Sequence, residues 1–418
     1  MITAVLTGDN HLGTNYARFR PEQLEERRTR LREAFGEVVN AAIEKQVDLF
    51  LHTGDLFDRP DPRNIEREFV AKQWRKLGEA GIPIFAIAGN HDCSRSVGYG
   101  GGIVPQEEAH ALGALHLFRK TDVIESKTIK TKSGHSVRVS GITTDFNRAS
   151  ELCPLQSLSL QRSEQQTGEA ATLEIVLLHY GIEGWMPHSE GGEPILSLNN
   201  LESLQVDFIG VGHLHQRLHQ TLRSGALVVN AGSSERLDFG EERHDCGYTF
   251  LELRPGNVKA THIKTRMQSM KTEDFSIDNC RESLQNEIGE GAKATRLMAL
   301  ICERIEHISH SDLLLRFRLT GALPLELYHA MDLIKLQEFA LARNFHCQFD
   351  TEKMHVYDPT YDLPEGYGVS FDVGEELALI RKKMDERDSD NEREIQINQR
   401  AAELVKAAYE SRTKGARA

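Results

Sequence analysis

The sequence predicts an α/β fold: a β-sheet with helices packed on it, then a smaller α/β unit, then a helical tail. Three observations carry this. Up to about residue 265, short apolar β-like runs alternate with segments of helical period. Near Met267 to Asp274 the pattern changes, with mostly period two around 313–319 and a helical stretch opened by Pro324. Past Pro359 and Pro364, two pieces of helical period flank a charged run at 385–394.

Each element has a local reason. The stretch 20–46 keeps Leu24, Leu31, Phe35, Val38, Val39 and Ala42 at helical spacing among charged residues. Asp61-Pro62 reads as an N-cap followed by proline at the first helical position, predicting a helix to about Ala80 that Gly81 ends. Strand candidates lie at 48–53, 84–88, 174–178 and 208–211, and the strand–helix–strand succession suggests a largely parallel sheet. The segments 93–105 and 156–170 read as surface loops, the first placed to reach a substrate. Leu313, Leu315, Phe317 and Leu319 alternate with polar neighbours. Met331, Ile334, Leu336 and Phe339 then keep helical spacing, and a strand follows at 345–349. The tail pieces carry Leu377, Ile380 and Met384, then Ile397, Ala401, Leu404, Val405 and Ala408. The expected domains are 1–268, 269–360 and 361–418, with no internal repeat.

Composition narrows the class. The 418 residues are 39% hydrophobic and 27% charged, which suits a globular chain with a real core. No apolar run approaches the roughly 18 residues that span a bilayer. Met1 leads directly into a β-like run, so no secretory signal is read and a cytoplasmic location is expected. The six cysteines are scattered without a CxxC pair, which speaks against a disulfide framework or a thiolate zinc site. A net charge of −13 argues against coating of nucleic acid by bulk charge. Any such contact needs a local basic patch, bound cations or a partner. Arg27, Arg28, Arg30 and Arg32 form the one helical basic cluster considered, either a phosphate contact or a solvated face.

Five motifs carry chemistry, each at the C-terminal end of a β-like run. They are Asp9-Asn10-His11, Gly54-Asp55-Leu56-Phe57-Asp58, Gly89-Asn90-His91-Asp92, His179, and Gly212-His213-Leu214-His215. Loops at the carboxyl ends of parallel strands converge, so residues distant in sequence can share one point. Asp9, Asp55 and Asn90 offer oxygen; His11, His179, His213 and His215 offer imidazole nitrogen. Mixed oxygen and nitrogen without thiolate suits manganese, iron or zinc better than calcium. In an extended segment, residues i and i+2 point the same way, so Asp9 with His11, and His213 with His215, are expected to face one site. Alone, each motif also reads as a turn or a structural histidine. The ordered set supplies enough ligands for two cations. His188, His219 and His244 are read as solvated, and Trp74 and Trp185 as packing.

The ordered set resembles the calcineurin-like metallophosphoesterase superfamily, within it the SbcD-type double-strand-break repair nucleases. The closer likeness rests on Asp9-Asn10-His11-Leu12-Gly13, on Gly54 to Asp58, and on Gly232-Ser233-Ser234-Glu235-Arg236-Leu237-Asp238-Phe239. It implies a β-sandwich flanked by helices, with a small α/β capping domain over 269–360. It further implies one cation on Asp9, His11, Asp55 and His215, and another on Asp55, Asn90, His179 and His213, manganese being expected with magnesium or another transition metal as alternatives. His91 matches the family's catalytic histidine, with Asp92 orienting it. Asp58 stands where archaeal and eukaryotic relatives tend to carry histidine, so a role given to that histidine does not transfer. The resemblance also implies a homodimer, double-stranded DNA ends as substrate, and an SMC-like ATPase of the SbcC type bound by the C-terminal helices. Paired cations about 3.5–4 Å apart activate water and clamp a phosphate, so no nucleophilic side chain is required. The rival readings are a phosphoesterase acting on nucleotides or other phosphoesters, and a non-catalytic DNA-end adaptor.

Overall fold

Strand β1 (Ile2–Thr7) lies inside a six-stranded sheet with β2 (Leu49–His52), β3 (Ile84–Ile87), β4 (His116–Phe118), β13 (Gly247–Arg254) and β14 (Asn257–Lys264), in the order β14-β13-β1-β2-β3-β4. The computed structural model describes residues 1–93, 104–144, 171–186 and 194–358. β1 to β4 run parallel, while β13 pairs antiparallel with both β1 and β14. A second six-stranded sheet holds β5 (Glu125–Lys130), β6 (Ser136–Gly141), β7 (Leu173–His179), β10 (Phe208–Gly212), β11 (Leu218–Thr221) and β12 (Leu227–Asn230), in the order β11-β12-β10-β7-β6-β5. Its four inner strands are parallel and its two edges antiparallel. β8 (Gly181–Ile182) and β9 (Ile195–Leu196) form a short parallel pair.

Period two explains the layering. Ala4, Leu6, Leu49, Leu51, Phe85 and Ile87 share one buried cluster with Val137, Val139, Ile175, Leu177, Phe208 and Val229 of the second sheet. The alternate residues Val5, Phe50, Ile84 and Ala86 meet Leu31, Phe35 and Val38 of α1 (Pro21–Glu44) and Trp74 and Leu77 of α2 (Asn64–Glu79). The second sheet's outer face packs Val176, Leu178, Ile209 and Val211 against Leu201 of α4 (Leu198–Glu202). Both sheets are therefore covered on two faces, as parallel strands require. Each large side chain so buried contributes roughly 1.5–3 kcal/mol. The expected β-sandwich flanked by helices forms: two sheets stacked face to face, each parallel at three of its five pairings, in place of one largely parallel sheet. Short runs such as 49–52 carry no signal for which sheet they join. α3 (Glu107–Ala111) completes this region.

The predicted helix from Asp61-Pro62 begins later, with Arg63 as its N-cap, and ends as expected before Gly81 at φ +66°. Trp74 packs edge-on to Phe35 at 5.6 Å, and Trp185 borders the second sheet's outer cluster.

The period shift near Met267 marks a third sheet of β15 (Met270–Ser276), β16 (Leu314–Pro324) and β17 (His346–Asp350), all parallel, with β18 (Met354–Tyr357) paired to β16. Leu315, Phe317 and Leu319 of β16 enter a core of their own with α5 (Arg281–Gln285), α6 (Glu290–Ile308), α7 (Leu325–Ala330) and α8 (Leu333–Leu341). α6, absent from the sequence reading, contributes Ala294, Leu297, Ile301 and Ile305. Met1–Val356 forms one compact unit. The predicted tail helices, Cys153, His188 and most of both predicted loops lie outside the described residues. No helix among the described residues is long and apolar enough to cross a membrane.

The basic cluster of α1 is not a free face. Arg27 is fully buried, donates to Gln268 Oε1 at 3.0 Å and to the Arg236 carbonyl, and lies 3.4 Å from Glu235. Arg32 pairs with Glu66 and Glu25, Arg30 with Glu26 and Asp312, and Arg28 donates to the Thr14 carbonyl. Helical period cannot announce this, because most of the partners come from other segments of the chain.

Candidate metal centre

The five motifs leave β1, β2, β3, β7 and β10 at their C-terminal ends, three strands in one sheet and two in the other. Register aligns the exits: Thr7 faces His52 in the first sheet, and His179 faces Gly212 in the second. The sandwich brings both rows together. A Cβ on Gly54, which sits at φ +95°, would lie 2.7 Å from both the Gly89 nitrogen and His179 Nδ1, so this crossing needs glycine.

Donor atoms of Asp9, His11 and His215 lie within 4.8 Å of one another, and so do those of Asp9, Asp55 and His179. Asp55 is buried between the groups. Its Oδ1 accepts from the His91 amide at 2.7 Å, while Oδ2 lies 3.2 Å from His179 Nε2 and 3.7 Å from His11 Nε2. Asn90 Oδ1 sits 2.8 Å from His179 Nε2 and 3.2 Å from His213 Nδ1. Asp9 Oδ1 accepts from the His213 amide at 2.9 Å. All seven expected metal-site residues thus meet at one place, with His91 at the rim, its ring centroid 4.6 Å from that of His11.

The backbone differs from the extended geometry expected. Asp9, His11, Asp55 and His213 have φ of 49°, 45°, 51° and 100°, making four of the six non-glycine residues with positive φ among those described. Such conformations cost on the order of 1–3 kcal/mol each and persist where the surroundings enforce them. The turning backbone, rather than strand alternation, aims Asp9 and His11 together. Asp92 also differs from its expected role of orienting His91. Its carboxylate accepts from the amides of Leu56, Phe57 and Gly89, while His91 Nδ1 lies 3.0 Å from the Asp58 carbonyl. Asp92 therefore ties the second and third motif loops together.

The donor chemistry fits divalent cations. Asp9 Oδ2 and His11 Nε2 are buried without a hydrogen-bond partner, and His11 Nδ1 has only the Asp58 carboxylate beside it, at 3.5 Å. His179 Nδ1 lies 2.7 Å from the Thr53 carbonyl, which can only accept, so Nδ1 carries a proton and Nε2 is the ring nitrogen turned to the oxygens of Asp55 and Asn90. Oxygens gathered around that nitrogen suit a shared cation, which would take the place of a proton on Nε2. The calcineurin-like phosphoesterase family profile matches residues 2–217, more than half of the chain. The chain belongs to this family. Among curated relatives, it is 25% identical over 284 residues to the DNA double-strand break repair protein Mre11 of Sulfolobus acidocaldarius, covering 67% of this chain and 68% of that one. It is 28% identical over 283 residues to the Mre11 of Sulfurisphaera tokodaii, covering 66% of each. An uncharacterized metallophosphoesterase of Bacillus subtilis, YhaO, is 28% identical over 223 residues, covering 53% of this chain and 49% of that one. The chain spans about two thirds of the length of these Mre11 proteins.

Electrostatics of this phosphoesterase site follow from crowding. Burial would raise the Asp55 carboxyl, but the imidazoles of His179, His11 and His91 hold it far below the usual range. Burial raises Asp9, and burial with the Asp55 charge pushes Asp92 up to about 6. Burial disfavours a charged His179, yet Asp55 and Asp9 raise it to about 10. Burial and the neighbouring His179 push His213 down to about 3. The paired directions describe one cluster of carboxylates balanced by imidazolium, the charge balance a divalent cation would take over.

Residues missed in the sequence support the loops. Asn10 Nδ2 donates to Ser234 Oγ at 2.9 Å, and its Oδ1 meets His52 Nε2 at 2.8 Å. His215 Nδ1 lies 2.5 Å from Glu241 Oε1. The motif containing Ser234 was legible, but its partners were not. His219 is exposed, in keeping with its solvated reading, whereas His244 is half-buried with its Nδ1 enclosed.

His52 yields a pH prediction. Burial, then the charge on His179, lowers it to about 3. Its folded pKa lies below the unfolded value near 6.5, so the unfolded chain binds the extra proton between these limits. Its share of stability is present above pH 6.5 and lost as pH falls toward 3. The urea midpoint should decline over that window, and His52→Gln should flatten the decline. An unchanged slope in the variant would remove His52 as its source.

Proposed function

We propose that this phosphoesterase is a two-metal DNA nuclease, cutting phosphodiester bonds at double-strand ends in the cytoplasm as a homodimer with an SMC-like ATPase of the SbcC type. The observation that carries the reading is the convergence of Asp9, His11, Asp55, Asn90, His179, His213 and His215 beside an accessible His91. The name that the Mre11 relatives carry supports DNA as the substrate class. In this reading 1–268 holds the chemistry, 269–360 caps the DNA and 361–418 binds the ATPase.

Asp9, His11, Asp55 and His215 would hold one cation, and Asp55, Asn90, His179 and His213 the other, manganese being the proposed ion. Bound there, the cations supply phosphate charge neutralisation and an activated water. The chain's own residues do the rest. Thr53 keeps the His179 proton on Nδ1, so Nε2 stays a donor lone pair. The Asp58 carbonyl can only accept, so Nδ1 of His91 carries a proton there; with a second proton on Nε2, the imidazolium would pass that second proton to the leaving sugar oxygen and keep the one on Nδ1.

His91→Ala should slow turnover about 10²- to 10⁴-fold with metal content unchanged. Normal turnover at confirmed metal content would remove His91 from the mechanism. The reading as a whole is tested by digesting end-labelled linear duplex with the purified chain, in manganese and then magnesium. Manganese-dependent cutting supports it. Hydrolysis of bis-p-nitrophenyl phosphate by a chain inert on DNA, even with the ATPase added, would shift the substrate to other phosphoesters.

A further inference from the structure

Two imidazoles beside Asp9 are backed by carboxylates. His215 Nδ1 lies 2.5 Å from Glu241 Oε1, and His11 Nδ1 lies 3.5 Å from Asp58 Oδ1. Glu241 is only 6% exposed and ends the short 3-10 turn Phe239–Glu241, which Asp238 caps at the Gly240 amide. Its other oxygen accepts from the Leu237 amide at 2.8 Å, so both oxygens have a fixed task. Asp58 is held more loosely: its Oδ1 lies 3.2 Å from Thr14 Oγ1, whose single proton is shared with the nearer His11 carbonyl at 2.6 Å. An ionised carboxylate only accepts. Facing Nδ1, it requires the proton there and leaves the lone pair on Nε2. His179 has a neutral carbonyl in the same place, which orients the ring without adding charge.

We propose that Glu241 and Asp58 are positioning residues, which fix the tautomer and ring orientation of His215 and His11 and strengthen the cation position held by Asp9, His11, Asp55 and His215. The proposal rests on the two-cation reading above. Such braces typically change metal affinity by about 10- to 100-fold. Glu241 is the tighter brace and Asp58 the looser, as their distances order them. Position 58 does double duty, since its carbonyl also holds His91.

The discriminating variant is Glu241→Gln, which keeps the shape. The Leu237 amide claims the one amide oxygen of the glutamine. Its NH₂ then faces His215 Nδ1, which must accept, moving the ring proton to Nε2 and blocking coordination. Manganese alone is titrated calorimetrically into the metal-free full chain, with thermal midpoints as control. Two ions should bind the parent chain. Glu241→Gln should lose about 10- to 100-fold at one position only, with its midpoint within about 2 °C of the parent. Asp58→Ala should lose about tenfold at the same position, and Asp58→Asn, still an acceptor, should recover most of it. Parent-like binding of both ions by Glu241→Gln overturns the Glu241 role, as does a fall in midpoint with both affinities. Equal losses in Asp58→Ala and Asp58→Asn overturn the Asp58 role. Failure of the parent chain to bind manganese would instead overturn the two-cation reading.

Discussion

If the proposed two-metal nuclease reading holds, Asp55→Ala should leave the chain folded and abolish manganese-dependent cutting of end-labelled duplex DNA. The loss should reach about 10³-fold or more, on the order of 4 kcal/mol of barrier. Asp55 is the one side chain shared by both proposed cation positions, with Oδ2 near both His179 and His11. Removing it takes a charge from each position and also frees the His91 amide that Oδ1 holds. Asp55→Asn separates these effects. The amide keeps an acceptor for His91 but not the charge, so it should fail nearly as completely. Cutting by Asp55→Asn above about a tenth of the parent rate would show that the bridge charge is dispensable.

Glu235→Ala should lower the free energy of unfolding by about 3–5 kcal/mol, read from urea midpoints at pH 7. Glu235 and Arg27 are both fully buried and lie 3.4 Å apart. Truncating one leaves the other as an uncompensated charge in a low dielectric. More is lost than the pair. Glu235 Oε2 accepts from the Gln268 amide at 3.0 Å, two residues before β15 of the third sheet, and Oε1 from the Arg236 amide at 2.8 Å. Glu235→Gln keeps one acceptor and the shape, and should lose less. A shift below about 1 kcal/mol in Glu235→Ala would mean that water reaches Arg27. The neighbouring Ser234 braces Asn10, so this loop joins stability to the site.

Much of the site was legible because its chemistry lies in short motifs. Gly54-Asp55 and Gly89-Asn90-His91-Asp92 announce themselves within a few residues, and each follows an apolar run that can only be a buried strand. The strand sites at 84–88 and 208–211 were legible for the same reason, as was the alternation of Leu315, Phe317 and Leu319. α6 was passed over even though Ala294, Leu297, Ile301 and Ile305 keep helical spacing, because Met298, Leu300 and Cys302 blur its polar face.

What the sequence by itself determined was the inventory and its order: oxygen and imidazole donors at the ends of parallel strands, sufficient for two cations. Tertiary structure alone decided how those donors are aimed. It put Asp9, His11, Asp55 and His213 into left-handed backbone, gave Asp92 to three amides instead of His91, and gave His215 to Glu241. It also turned the arginines of α1 from an apparent basic face into braces. The reason is range. Periodicity and motif spacing report forces acting within one or two turns of chain. A ring tautomer or a buried charge is settled by whichever group packs against it, and at Asn10 that group lies 224 residues away.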